Sequence, residues 1–168
     1  MVPDRQTTTL KFMMHYSKIM IDDAVANARR YFSGNHNCAQ SVMKAVLVET
    51  KMDFDQVIPL TAGFGGGVAH EGSVCGAVTG AIAALGVLSS RHYTDLGKHK
   101  EVAYKDSEEF IRTFKEAHGS VLCNDLTGIE MADVKARQKA MENGLFAQRC
   151  PKFVETAVRI TLEISEQR

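Results

Sequence analysis

The chain lacks any surplus of charge. Its 168 residues carry 20 Lys and Arg against 20 Asp and Glu, a formal net charge of zero. Nucleic acid and anionic membrane both select a basic excess, so neither is the expected main partner. No long apolar run is present. The longest uncharged stretch, Gly72 to Ser90, is rich in Gly, Ala and Ser; it suits a buried helix better than a bilayer span. The first residues, MVPDRQTTTLKFMMHYS, lack the apolar core of a secretory signal, which makes the cytoplasm the expected compartment. There is no sustained alternation of period two, so no strand is expected. Repeats, low-complexity tracts and linkers are also missing. No two cysteines stand in Cys-x-x-Cys spacing, and no Cys-x-x-Cys-His haem motif occurs.

What is present reads as one all-α domain, a single-domain bundle of five or six helices. Residues 1–16 are expected to form an N-terminal arm, and residues 17–168 the four-cysteine helical domain. Ser17 is a candidate N-cap for a first helix, Lys18 to Phe32, with Ile21, Ala24, Val25, Ala28, Tyr31 and Phe32 on one face. Asn37, with Gln40 three residues on, has the form of a capping box for a second helix, Cys38 to Lys51. Ser73 is placed to cap a third, Val74 to Leu88. Further helices are expected over 99–118, 133–142 and 151–165, the last opened by Pro151 with Cys150 as its cap.

The four cysteines carry the chemistry. Cys38, Cys75 and Cys150 each fall at or beside an expected helix start, where free N–H groups and the positive dipole end stabilise a thiolate. The thiolate is both the nucleophile and the metal ligand. Buried cysteines can also be mere packing residues. Between Gly63 and Leu88 there is no Lys or Arg, and Gly76, Gly80 and Ala84 recur every four residues. The resulting bare helix face would let a cofactor or another backbone approach closely, so Gly76 and Gly80 are expected cofactor contacts. His36, His70 and His118 precede cysteines closely enough to be weighed as mixed ligands, although a lone loop histidine is more often solvated. Gly63-Phe64-Gly65-Gly66-Gly67 fails as a phosphate loop, because neither GxGxxG nor a following Lys-Ser/Thr pair is present. Glu71, Asp125 and Glu130 have no spacing that pairs them as acid and base.

Four local patterns resemble the redox-active family named for its cysteines, C_GCAxxG_C_C. They are Asn37-Cys38-Ala39-Gln40; the glycine segment running into Cys75-Gly76-Ala77-Val78-Thr79-Gly80; Gly119-Ser120 through Cys123 to Gly128; and Cys150 with the apolar helix after it. The resemblance implies that Cys38, Cys75, Cys123 and Cys150 are the functional residues, and it brings no established reaction. Four thiolates are the usual ligand set of an iron–sulfur cluster and would equally suit a tetrahedral zinc ion. Paired, they could cycle as dithiols. The expectation is an iron–sulfur centre in electron transfer or redox sensing. The alternatives are a thiol-disulfide oxidoreductase and a zinc-stabilised accessory module. The expected partner is a redox protein or a membrane transporter, and a homodimer is compatible with the apolar arm.

Overall fold

The computed structural model describes residues 5–167, with side chains from Ser17 onward. Among the described residues it is all-helical, with eight α-helices: α1 (Arg5–Ser33), α2 (Cys38–Glu49), α3 (Val57–Leu60), α4 (Gly76–Ser90), α5 (Leu96–His118), α6 (Cys123–Thr127), α7 (Val134–Glu142) and α8 (Leu145–Glu166). The count exceeds the expected five or six because α3 and α6 are a single turn each, too short to show a period of 3.6 in sequence. None of the described helices is long and apolar enough to cross a membrane.

Helix α1 starts at Arg5, well before the expected Lys18. Ser17 is therefore not its cap. No Gly or Pro interrupts residues 5–33, and the Ser17 hydroxyl donates instead to the Glu166 carboxylate at 2.6 Å, joining α1 to the end of α8. Residues 1–4 of the expected arm lie outside the described residues. Helix α8 corrects a second boundary. It begins at Leu145, after Gly144 at φ 68°, so Pro151 and Cys150 sit inside it and Cys150 is no cap. Leu145 and Phe146 extend the apolar face upstream of the proline. The helix tolerates Pro151 by leaving the Ala147 carbonyl without its intrahelical N–H.

The core lies where α2, α4, α5 and α8 meet. Phe110, Phe114, Met43, Leu47, Leu85, Val78, Val154 and Val158 are fully buried there. Helices α2 and α4 are the most extensively packed pair, and Gly80 makes this possible. A Cβ on Gly80 would stand 2.6 Å from the Ala39 carbonyl oxygen and 2.8 Å from its Cα. The small-residue face of α4 is thus filled by the backbone of α2's first turn. One consequence reaches the site: Cys38 and Cys75, at neighbouring helix starts, are drawn together.

Candidate four-thiol site

Cys38 opens α2 as its first residue. Asn37 caps the helix reciprocally: its Oδ1 accepts from the Gln40 N–H at 3.0 Å, and its own N–H donates to Gln40 Oε1 at 2.9 Å. The Asn37 side-chain amide also donates to the Ala62 carbonyl at 2.9 Å. The start of α2 is therefore tied to the segment that leads into the glycines.

That segment has a feature with no signature in sequence. Gly66, Gly67, Val68, Ala69 and His70 all have φ between 52° and 73°. Five consecutive residues thus form a left-handed turn, and three of them carry a Cβ. Each such residue costs roughly 1–2 kcal/mol, and a β-branched residue at positive φ is a genuine outlier. The turn is held by the Ala69 N–H to the Gly63 carbonyl at 2.9 Å and by the Ser73 N–H to the Gly67 carbonyl at 3.0 Å. Gly67 has no room for a side chain, because its Cβ would stand 2.6 Å from the Cys123 Cβ.

Beyond the turn, residues 73–75 run antiparallel to 121–123. Val74 pairs with Leu122 in an isolated bridge. The Cys75 N–H donates to the Val121 carbonyl at 2.8 Å, and the Cys123 N–H to the Ser73 carbonyl at 2.7 Å. A single rung of sheet thereby sets Cys75, the cap of α4, beside Cys123, the first residue of α6. Cys150 arrives from α8, one residue before Pro151.

All four thiols are unpaired, and all four line one cavity of about 540 Å³. Cys75, Cys123 and Cys150 are buried; Cys38 is half-buried. The Cys38 thiol is within hydrogen-bonding reach of both Cys150 and Cys75. This contact divides the protons unequally. Cys75 is shifted below the ordinary thiol range, chiefly by the hydrogen bond from Cys38, against burial, with help from the Ala77 and Val78 N–H groups at the start of α4. Cys38 is held well above that range by its bonds to Cys150 and Cys75, and then by burial. Burial, followed by the charges of Cys75 and Cys150, pushes Cys123 up to about 12. Of the two, Cys75 is the thiol shifted toward ionisation and Cys38 the one shifted away from it.

The other candidates divide clearly. Gly76 and His70 line the cavity; Gly80, His36 and His118 are not among its lining residues. Gly80 meets α2 instead, and His36 Nδ1 pairs with the Tyr31 carbonyl at 3.2 Å. His118 packs against the rings of Phe114 and Phe153. Asp125 accepts from the Ser120 hydroxyl and Glu130 from the Asn124 amide, both in exposed structural bonds. Sequence reasoning missed the outer wall of the cavity, made by Val134, Arg137, Gln138, Met141 and Glu142 of α7 and by Phe146 of α8. Their spacing follows one helical face, but with only two large apolar side chains, Val134 and Met141, in nine residues the segment reads as a solvated helix.

Comparison with known proteins now has a geometry to stand on. The pattern of the family described as "Putative redox-active protein (C_GCAxxG_C_C)" matches residues 36–164. The chain belongs to this family. An uncharacterized protein of Archaeoglobus fulgidus is 29% identical over 134 residues, covering 75% of this chain and 82% of that protein. No solved structure matches the chain.

Proposed function

We propose that the four cysteines hold an iron–sulfur cluster and that the protein serves in electron transfer or redox sensing. The observation that carries this reading is the convergence of four unpaired thiols, from four separate helices, on one cavity. A four-thiolate donor set matches the cluster's chemistry. Among the described residues no three His, Cys, Asp or Glu side chains are grouped as a site for a metal ion. A zinc ion about 2.3 Å from each sulfur would need all four within about 3.8 Å of one another. Cys38 is already within hydrogen-bonding reach of Cys75 and Cys150, so zinc stays the alternative for the same donor set.

When bound, the cluster would supply reversible one-electron chemistry. The chain's own part is to present the thiolates and tune them. Cys75 is pre-set for deprotonation by Cys38 and by the start of α4. Cys123, buried and held protonated, would release its proton only on ligation. Leu126, Met131 and Phe153 add apolar walls to the cavity, and such surroundings are a lever on potential.

Protein purified without oxygen is expected to be coloured, with iron and acid-labile sulfide in step, and each single Cys→Ser change to lower both. A colourless, iron-free anaerobic preparation would sink the reading. The Cys38–Cys75 contact favours a second one, a dithiol in which the two thiols give up two electrons and two protons to an oxidant and close a disulfide. Differential alkylation with mass spectrometry separates the two. A specific reversible Cys38–Cys75 disulfide supports the dithiol; thiols protected until a chelator is added support the metal.

A further inference from the structure

Helix α7 turns one face to the cavity: Val134, Arg137, Gln138, Met141 and Glu142, the i, i+3, i+4, i+7 and i+8 positions. The apolar members of such a face are normally buried against protein. Here Val134 and Met141 line the cavity and remain 60% and 66% exposed. The helix packs chiefly on α8, and only Ala140 is buried along it. Facing it are three aromatic rings, Phe32, Phe146 and Phe153. At about 540 Å³ the cavity falls in the range of small-molecule sites, roughly 300–1,000 Å³, with the thiols along part of its lining.

We propose that the chamber under α7 binds a small, flat, uncharged redox-active ring of the quinone class. The inference rests on the redox reading of the thiols beside it. The aromatic and methionine walls suit a planar apolar ring. Arg137 suits a ring carbonyl: its Nη1 donates to the Met131 carbonyl, which fixes the guanidinium and leaves further N–H donors for an incoming oxygen. A phosphate-bearing carrier is disfavoured. Apart from the thiols, the ionisable lining groups are Arg137, Glu142 and His70, and one arginine beside one carboxylate is no phosphate cradle.

The test uses the full-length protein, methyl-labelled at methionine, titrated without oxygen by duroquinone. The four ring carbons of this probe that bear no oxygen all carry methyl groups, which block addition of the thiols. Saturable shifts are expected at Met131 and Met141, which line the cavity, and not at Met43, which is fully buried in the core. Val134→Glu places a carboxylate in the apolar wall at the first turn of α7, where an acidic residue suits the helix. It should fold as the wild type does and weaken binding by at least about tenfold. Unmoved Met131 and Met141 signals up to the probe's solubility, or an unchanged Kd in Val134→Glu, would overturn the proposal. Stronger shifts of the same methyls by flavin mononucleotide at equal concentration would overturn the assignment to an uncharged ring. Iron measured on the same samples keeps the two readings apart. Methyl shifts without iron support the chamber and remove the cluster; iron without shifts does the reverse.

Discussion

Replacing Gly80 by alanine tests the packing that assembles the site. In an open helix the change is stabilising by about 1 kcal/mol, since glycine is the poorer helix former. At Gly80 the new Cβ would stand 2.6 Å from the Ala39 oxygen and 2.8 Å from the Ala39 Cα. Both are backbone atoms, which no rotamer change can move aside. Helices α2 and α4 must separate. Overpacking of this kind costs about 1–3 kcal/mol, with rigid backbone at the upper end, so the net loss is about 2 kcal/mol. For a chain of this length that lowers Tm by about 4–8 °C. Gly86 on the same helix is the control. Nothing lies within 4 Å of its Cβ position, so Gly86→Ala should raise Tm by about 2–4 °C.

The strain in Gly80→Ala falls on the residue after Cys38. One turn earlier, a Cβ on Gly76 would meet the Cys38 Cβ at 3.2 Å. Any separation therefore moves Cys38 away from Cys75, and on the proposed cluster reading the variant should lose iron as well as stability. Thermal unfolding and iron content of the wild type and both variants decide the matter. A Gly80→Ala protein as stable as the wild type would refute the reasoning, as would a Gly86→Ala protein destabilised to the same degree.

Asn37→Ala removes both the capping box and the bond to Ala62; a loss of about 1–2 kcal/mol in urea unfolding is expected. Val68→Gly relieves one left-handed residue and should stabilise the fold by about 1 kcal/mol in the same assay. His118 is held below the ordinary histidine value by burial, and then by Lys152. Its folded pKa is depressed, so its contribution is present above the unfolded value and lost as pH falls through the folded one. Stability should therefore decline on acidification below about pH 6.5, and His118→Phe, which removes a buried Nε2 without a hydrogen-bond partner, should flatten that decline. Cys38→Ala removes the donor that lowers Cys75; a pH titration of thiolate ultraviolet absorbance should show the lowest thiol step move upward.

Legibility of the fold followed the length and chemistry of its signals. The all-helical class, the cap at Asn37 and the end of α5 at Gly119 were plain, because each rests on local rules: periodicity, a reciprocal cap, a glycine in the left-handed region. The four cysteines were plain as a set, and the family match over residues 36–164 spans all four. The geometry between them was not. The Val74–Leu122 bridge is one rung long and pairs residues far apart in the chain, so no alternation announces it. Pro151 misled, because proline favours a first turn and the apolar face of α8 continues upstream of it. The left-handed turn was invisible for a physical reason: only two of its five residues are glycine, and nothing local demands positive φ of Val68, Ala69 and His70.

That turn shows where the fold spends free energy to hold the site. Three residues with a Cβ in the left-handed region cost about 3–6 kcal/mol together, a large share of a typical domain's stability. Its backbone hydrogen bonds, at about 0.5–1.5 kcal/mol each, offset much of this. An all-glycine turn would avoid the native strain but would lose more entropy on folding. What the turn achieves is close approach: Gly67 against Cys123, His70 on the cavity wall, and Ser73 delivered to the bridge that aligns Cys75 with Cys123. The capped start of α2 fixes Cys38 from the other side, and the Gly80 contact holds the two halves together. Strain at one turn, a reciprocal cap and a side-chain-free contact thus serve one end. Cys75 and Cys123 are positioned by backbone bonds, Cys38 by the Asn37 cap, and Cys150 is carried in on a helix with one face buried from Cys150 to Ile164.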